Sequence, residues 1–344
     1  MPNVQDHALA VGEQRLAQRP FDALDGLILT QLVYMPMEGR LDKGESCTVR
    51  EAWDFLRENV DYEKLDQFQK KRYKLTEVCA GLPRYADWVM RDYENLIDDE
   101  REMQFCACTY QTEAGLRYIP FRGTDLTVAG WKEDLNMSFM TVPSQQEAAD
   151  YVARAAKGNG DVLMLGGHSK GGNLAVYAGA HAEPSTRERI ESYIPQSSVV
   201  GMLLHYHPVY TVVKADSVGI LQHDAMTWQV ENGDFMRLNG LNLSGKLTDE
   251  ALHAWLQTMD KEDRRLLVDT AYRVLDAGQA ELVTDFTDDW RDHAAKALEA
   301  IRELNPQVKR DVRRMLRSLF STGASEALRM ALPQLTRLGK AKED

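Results

Sequence analysis

The sequence predicts an α/β fold: a sheet with helices on both faces, a helical segment before it and a helical extension after it. Three observations carry this prediction. Short apolar runs at 103–110 (MQFCACTY) and 116–121 (LRYIPF) read as strands, and the continuous run at 161–165 (DVLML) reads as a strand buried on both faces. Helical spacing flanks these runs at 21–34, 144–157 and 173–180. Strand signals vanish from Thr248 onward, where helical patterns continue to about Leu335. The expected division is a polar, mobile segment over 1–20, an α/β domain over 21–240 and a helical extension over 241–344.

The elements follow in order. Residues 21–34 place Leu24, Leu27, Ile28, Leu32 and Tyr34 at helical intervals. A second helix is expected after Thr48, with Glu51 three residues on as its capping-box partner. Residues 61–99 look mainly helical, broken near Gly81-Leu82-Pro83. The strands at 103–110 and 116–121 are joined by the turn-like Thr112-Glu113-Ala114-Gly115, so a hairpin is expected. A helix over 144–157 leads through Gly158-Asn159-Gly160 into the strand at 161–165. Residues 210–214 (YTVVK) form the next clear strand, and a last hairpin is expected across Asn232-Gly233.

Composition excludes several classes. The chain has 344 residues, 41 Lys+Arg against 53 Asp+Glu and a formal net charge of −12. That balance argues against a general nucleic-acid binder, whose affinity comes from Lys and Arg on phosphates. No apolar run approaches the roughly 20 residues that span a bilayer. The first 20 residues lack a basic region followed by an apolar core, so no signal peptide is expected and the chain reads as cytoplasmic. The four cysteines (Cys47, Cys79, Cys106, Cys108) have no zinc spacing, and a disulfide framework does not suit a chain of this size. Neither a metal nor a cofactor is expected. Cys106 and Cys108 sit two apart, as in one face of a strand, and read as buried packing.

The segment that carries chemistry is Gly167-His168-Ser169-Lys170-Gly171, a G-x-S-x-G sequence between an apolar strand and a helix. That context is the nucleophile elbow, where a serine sits on a tight turn and glycines stand where side chains would clash. A serine hydroxyl is a weak nucleophile and needs a base, usually His held by a carboxylate. The chain order in such sites is Ser, acid, His. Of the eight histidines, His7 and His168 precede the nucleophile, His181 ends its helix, and His253 and His293 lie in the helical tail. His205, His207 and His223 remain. Between Ser169 and His223 the one aspartate is Asp216, just past the expected strand at 210–214. The expected triad is therefore Ser169, Asp216 and His223, with a turn or cap role the alternative for Asp216 and a loop role the alternative for His223. The oxyanion donors expected are the Lys170 amide and the loop after the strand at 116–121, where Gly123 permits close approach and Thr124 adds a hydroxyl.

Two further features have plain readings beside functional ones. In residues 308–320, Val308, Val312, Met315, Leu316 and Leu319 form an apolar stripe, with Lys309, Arg310, Arg313, Arg314 and Arg317 opposite. This reads first as a docked helix with a solvated basic face, and otherwise as a peripheral membrane contact. Trp131 and Trp228 read first as core, and otherwise as the wall of an acyl pocket.

Five segments in order, FRGTD (121–125), GWKEDLNMSF (130–139), GHSKGGNLA (167–175), IPQSSVVGMLL (194–204) and QHDAMTWQV (222–230), resemble the class 3 lipase-like α/β-hydrolases. They are closest to a bacterial branch without an assigned function. The resemblance covers about residues 20–240. It implies an α/β-hydrolase fold and hydrolysis of a small-molecule or lipid ester, and it supports Gly123 and Thr124 as oxyanion residues. One departure stands out. The branch carries a further strand and an Asn-Asp-Gly-Pro-Gly-Phe-like segment between the nucleophile helix and the PQSS motif. Here only 13 residues (AEPSTRERIESYI) separate His181 from Pro195. If the branch's acid lies in that segment, Asp216 is not its equivalent and a Ser-His dyad is left.

Overall fold

From the N-terminus the elements run α1 (Val4–Val11), α2 (Ala23–Leu32), β1 (Ser46–Thr48), α3 (Val49–Asn59), α4 (Gln67–Gly81), β2 (Val89–Asp98), β3 (Met103–Gln111), β4 (Arg117–Phe121), α5 (Val128–Asn136), α6 (Pro143–Ala155), β5 (Leu163–Gly167), α7 (Lys170–His181), α8 (Pro184–Arg187), β6 (Ile190–Tyr193), β7 (Val212–Val213), β8 (Val230–Glu231), β9 (Asp234–Phe235), β10 (Arg237–Leu238) and α9 (Lys261–Ala277). The computed structural model describes residues 1–98, 100–112, 115–124, 128–157, 162–193, 212–217, 222–241 and 260–277, with positions 306 and 310. The basic stretch at 308–320, apart from position 310, and the residues at 194–211, His205 and His207 among them, lie outside the described residues.

The chain divides into two units. The first comprises Met1–Gly123, Val142–Ser217 and Gln222–Asn239. It contains a mixed six-stranded sheet in the order β1-β2-β3-β4-β5-β6. Neighbours from β1 to β4 are antiparallel, and β4, β5 and β6 are parallel. The second unit comprises Thr124–Thr141, Val218–Leu221 and Gly240–Asp344, and within it α5 packs on α9.

Strand β3 explains why the sheet is covered on both sides. Successive side chains of a strand point to opposite faces. Cys106, Cys108 and Tyr110 share a core with Tyr118, Met164 and the helical residues Leu27, Ile28, Leu75 and Cys79. Phe105 and Ala107 turn the other way, into a core with Ile119, Phe121 and Leu165 against Tyr151 and Val152 of α6 and Leu174 and Ala178 of α7. Strand β5 thus has the two-faced burial expected of it, and β3 and β4 share that burial. Helix α3 starts where expected: Thr48 Oγ1 accepts from the Glu51 N–H at 3.2 Å, and the Thr48 N–H donates to Glu51 Oε2 at 2.7 Å.

Three sequence expectations are corrected. Residues 89–98, expected as helix, form β2. Its two-residue period is broken by a bulge between Arg91 and Glu94, with Asp92 at φ 53°. Residues 1–20, expected as a mobile segment, contain α1, whose Val4 and Ala8 are fully buried. The strand expected at 210–214 is described only as Val212–Val213, paired with β10 outside the six-stranded sheet. The hairpin across Asn232-Gly233 is present between β8 and β9, with both turn residues at positive φ.

Candidate functional site

Strand β5 ends at Gly167 and α7 begins at Lys170, so Ser169 occupies the turn between them. Its backbone lies at φ 59° and ψ −128°, a conformation that costs a non-glycine residue about 1–3 kcal/mol and persists only where the surroundings enforce it. The surroundings do so. A side chain at Gly167 would overlap the Gly171 carbonyl group, and one at Gly171 would overlap the carbonyl oxygen of Phe121. The Gly171 N–H donates to the His168 carbonyl at 3.0 Å, and the Gly172 N–H to the Ser169 carbonyl at 3.0 Å. Ser169 is half-buried at the N-terminal, partially positive end of α7. Lys170 is fully buried, and its Nζ donates to the Gln104 carbonyl at 2.8 Å, tying the start of α7 to β3.

The residue before the serine, His168, meets a second histidine. The rings of His168 and His223 lie 4.7 Å apart at 44°, and Trp228 packs edge-on against His168 at 5.3 Å. Burial, helped by His223, drives His168 well below the usual imidazole range. Burial also pushes His223 down to about 4, with the Asp224 carboxylate opposing and Arg72 reinforcing the shift. Both rings are therefore neutral near pH 7, the form in which an imidazole accepts a proton. Among the described residues no hydrogen bond joins Ser169 Oγ to His223.

The carboxylate that opposes the downward shift of His223 is that of Asp224. Asp216 is exposed; its N–H donates to the Thr227 carbonyl at 2.7 Å, and its carboxylate has no hydrogen bond among the described residues. The sequence reading placed it just past an expected strand, and the short strand before it, Val212–Val213, belongs to a two-stranded ladder with β10. Asp224 is buried, accepts from Lys71 Nζ at 2.8 Å and lies 3.6 Å from the Arg72 guanidinium. Arg72 in turn lies over the Tyr34 ring at 4.4 Å.

The loop after β4 is also rearranged relative to expectation. Gly123 does lie against the serine. A side chain there would meet the His168 carbonyl oxygen at 2.5 Å, Tyr34 Oη at 2.6 Å and Ser169 Cβ at 3.2 Å. Its N–H, however, donates to Tyr34 Oη at 2.9 Å. Thr124 spends its hydroxyl hydrogen on the Asp134 carboxylate, 2.7 Å away, so the side chain is not a ready oxyanion donor. Trp228 is buried against His168 and Phe235 and donates its indole N–H to the Gln222 carbonyl, a packing role.

Tyr34, Arg72, His168 and Asp224 were not singled out from the sequence. The signal for Asp224 was present, since it directly follows His223 in QHDAMTWQV. Arg72 lies on α4 and Tyr34 in the turn after α2, neither with a local mark of a site. Among the described residues no group of three or more His, Cys, Asp or Glu could hold a metal ion, and no helix is long and apolar enough to cross a membrane.

A family model described as Mbeg1-like matches residues 79–193 and 185–273, more than half of the chain. The matched residues run from the end of α4 through the sheet and the serine turn to α9. That family is related to lipase-like class 3 proteins of unknown function. Searches of curated proteins and of solved structures returned no match. On the strength of the family match, this chain, with Ser169 at its strand-to-helix turn, belongs to the Mbeg1-like family.

Proposed function

We propose that the chain is a serine hydrolase with an α/β-hydrolase fold, cleaving a carboxylic ester of lipid or acylglycerol type through an acyl-enzyme on Ser169. The observation that carries this reading is the left-handed backbone of Ser169, at φ 59°, between two glycines that tolerate no side chain. A strained serine at the start of a helix is costly, and its service is to expose Oγ to a carbonyl carbon. In the reaction, Ser169 Oγ attacks the ester carbonyl while His223 takes the hydroxyl proton. His223 returns that proton to the departing alcohol, and water then releases the acid by the same route. Asp224 supplies the carboxylate that favours the imidazolium, and the Lys170 amide faces the oxyanion. The lipase-like relation of the family supports the ester class. No cofactor and no nucleic acid enter this scheme. Residues 21–240 would carry the activity in the cytoplasm, and 241–344 would form a helical extension whose basic stretch at 308–320 touches membranes peripherally.

A second reading has its own observation. Ser169 and His223 share no hydrogen bond, and Asp224 is held by Lys71 and Arg72, which fits a catalytically impaired relative that binds a ligand or partner. Catalytic hydrogen bonds often tighten only with substrate, so the first reading is preferred. A fluorophosphonate probe separates the two. Stoichiometric labelling of the wild type, lost in Ser169→Ala, is expected for the hydrolase. Folded wild-type protein that remains unlabelled would leave the binding reading.

A further inference from the structure

We propose that Tyr34 is a catalytic residue of this site, its phenol donating the second hydrogen bond to the oxyanion in the place expected of the Gly123 amide. The inference rests on the serine hydrolase reading and adds a residue to it. The Gly123 N–H is already committed to Tyr34 Oη at 2.9 Å. A phenol oxygen that accepts this bond keeps its own hydrogen to give, and among the described residues Tyr34 Oη donates to nothing. The hydroxyl is also in the right place. Tyr34 Oη and Ser169 Cβ both fall within 3.2 Å of one point, the side-chain position of Gly123. The phenol therefore flanks the serine on the side of the loop after β4, the loop from which a second donor is expected.

The surroundings suit a donor. Burial holds the phenol above its ordinary pKa, so it stays protonated, and the Arg72 guanidinium 4.4 Å from the ring centre counters part of that shift and polarises the O–H bond. Tyr34 sits in the turn after α2, and the ring is held between Arg72 and the core, which fixes the hydroxyl before substrate arrives. The Gly123 amide then acts one step back: its hydrogen bond draws electron density from Oη and strengthens the phenol as a donor. A small negative oxygen, not an extended acyl chain, is what this corner recognises.

The experiment uses the rate of covalent labelling by a fluorophosphonate, followed over probe concentration and pH. In Tyr34→Phe the maximal labelling rate is expected to fall by about 10²-fold, the usual effect of losing one oxyanion donor. The probe concentration at half-maximal rate should stay within about threefold, because the ground state makes little use of the bond. An unchanged maximal rate in folded Tyr34→Phe overturns the role. Should that variant fail to fold, 3,5-difluorotyrosine installed at position 34 keeps the hydroxyl and makes it more acidic. The alkaline fall in labelling rate should then move to lower pH, and an unmoved alkaline limb overturns the role. Wild-type protein that is not labelled at all removes the hydrolase reading first, and this inference with it.

Discussion

One methyl group is enough to probe the serine turn. At Gly171 an added Cβ would strike the carbonyl oxygen of Phe121, backbone that cannot move without displacing β4. Gly171→Ala is expected to destabilise by about 1–3 kcal/mol and to abolish Ser169 labelling, read from a denaturant midpoint and a probe gel. Eight residues on, Gly179 provides the control. Its Cβ would meet Leu165 Cδ1 at 3.6 Å and Ile190 Cγ2 at 3.9 Å, ordinary contacts. Gly179→Ala should therefore stabilise α7 by about 0.5–1 kcal/mol and leave labelling intact. The same contrast explains what was legible at this scale. The serine turn is a local steric solution, so five consecutive letters announce it. The groups around it, Tyr34, Arg72 and Asp224, are brought in by distant elements, and no spacing rule reaches them. Asp216 was selected by chain order and by its place after an expected strand, and neither says which carboxylate bears on the imidazole.

Among elements, the N-terminal segment shows how a polar stretch becomes ordered. Arg84, in the turn after α4, is fully buried and spends its guanidinium on Asp25 of α2 and on the carbonyl oxygens of Gln14, Arg19 and Pro20. Tyr85 adds a bond to Asp25 Oδ1 at 2.8 Å. One arginine thus closes the backbone of the segment between α1 and α2. Removing one partner of such a pair strands the other charge in the core. Asp25→Ala is expected to cost about 3–5 kcal/mol, measured by urea unfolding, and to increase hydrogen exchange across α1. The partner lies 59 residues away in sequence, which is why residues 1–20 read as mobile. The strands divide by the same logic. Those buried on both faces, β3 to β5, are continuous apolar words. Strand β2 is partly exposed and interrupted by the bulge at Asp92, so its alternation is lost.

For the whole molecule, the acidic composition says less about pH response than two neutral histidines do. His168 and His223 are both held below the value near 6.5 that they take when unfolded. Below pH 6.5 the unfolded chain binds more protons than the folded one, so stability falls with pH. The loss develops from about pH 6.5 down to the folded pKa of His223, about 4, and amounts to something on the order of 3 kcal/mol for that residue. The thermal midpoint should drop between pH 7 and pH 4.5. His168→Gln, which removes one of the two titrating groups, should drop less over the same interval, whatever the carboxylates contribute to both. An equal drop would show that the histidine pair does not couple to folding. The net charge of −12 gives no hint of this, because coupling depends on burial and not on totals.

All four thiols of the chain are buried. Burial pushes Cys47 up to about 11 and raises Cys79, Cys106 and Cys108 as well. The thiolate, the form that reacts, is therefore scarce in the folded protein, and solvent-borne reagents and oxidants have little access to it. Electrophiles that mark the native chain consequently do so at groups other than sulfur. Alkylation by a thiol reagent, in turn, measures how much of a sample has come unfolded.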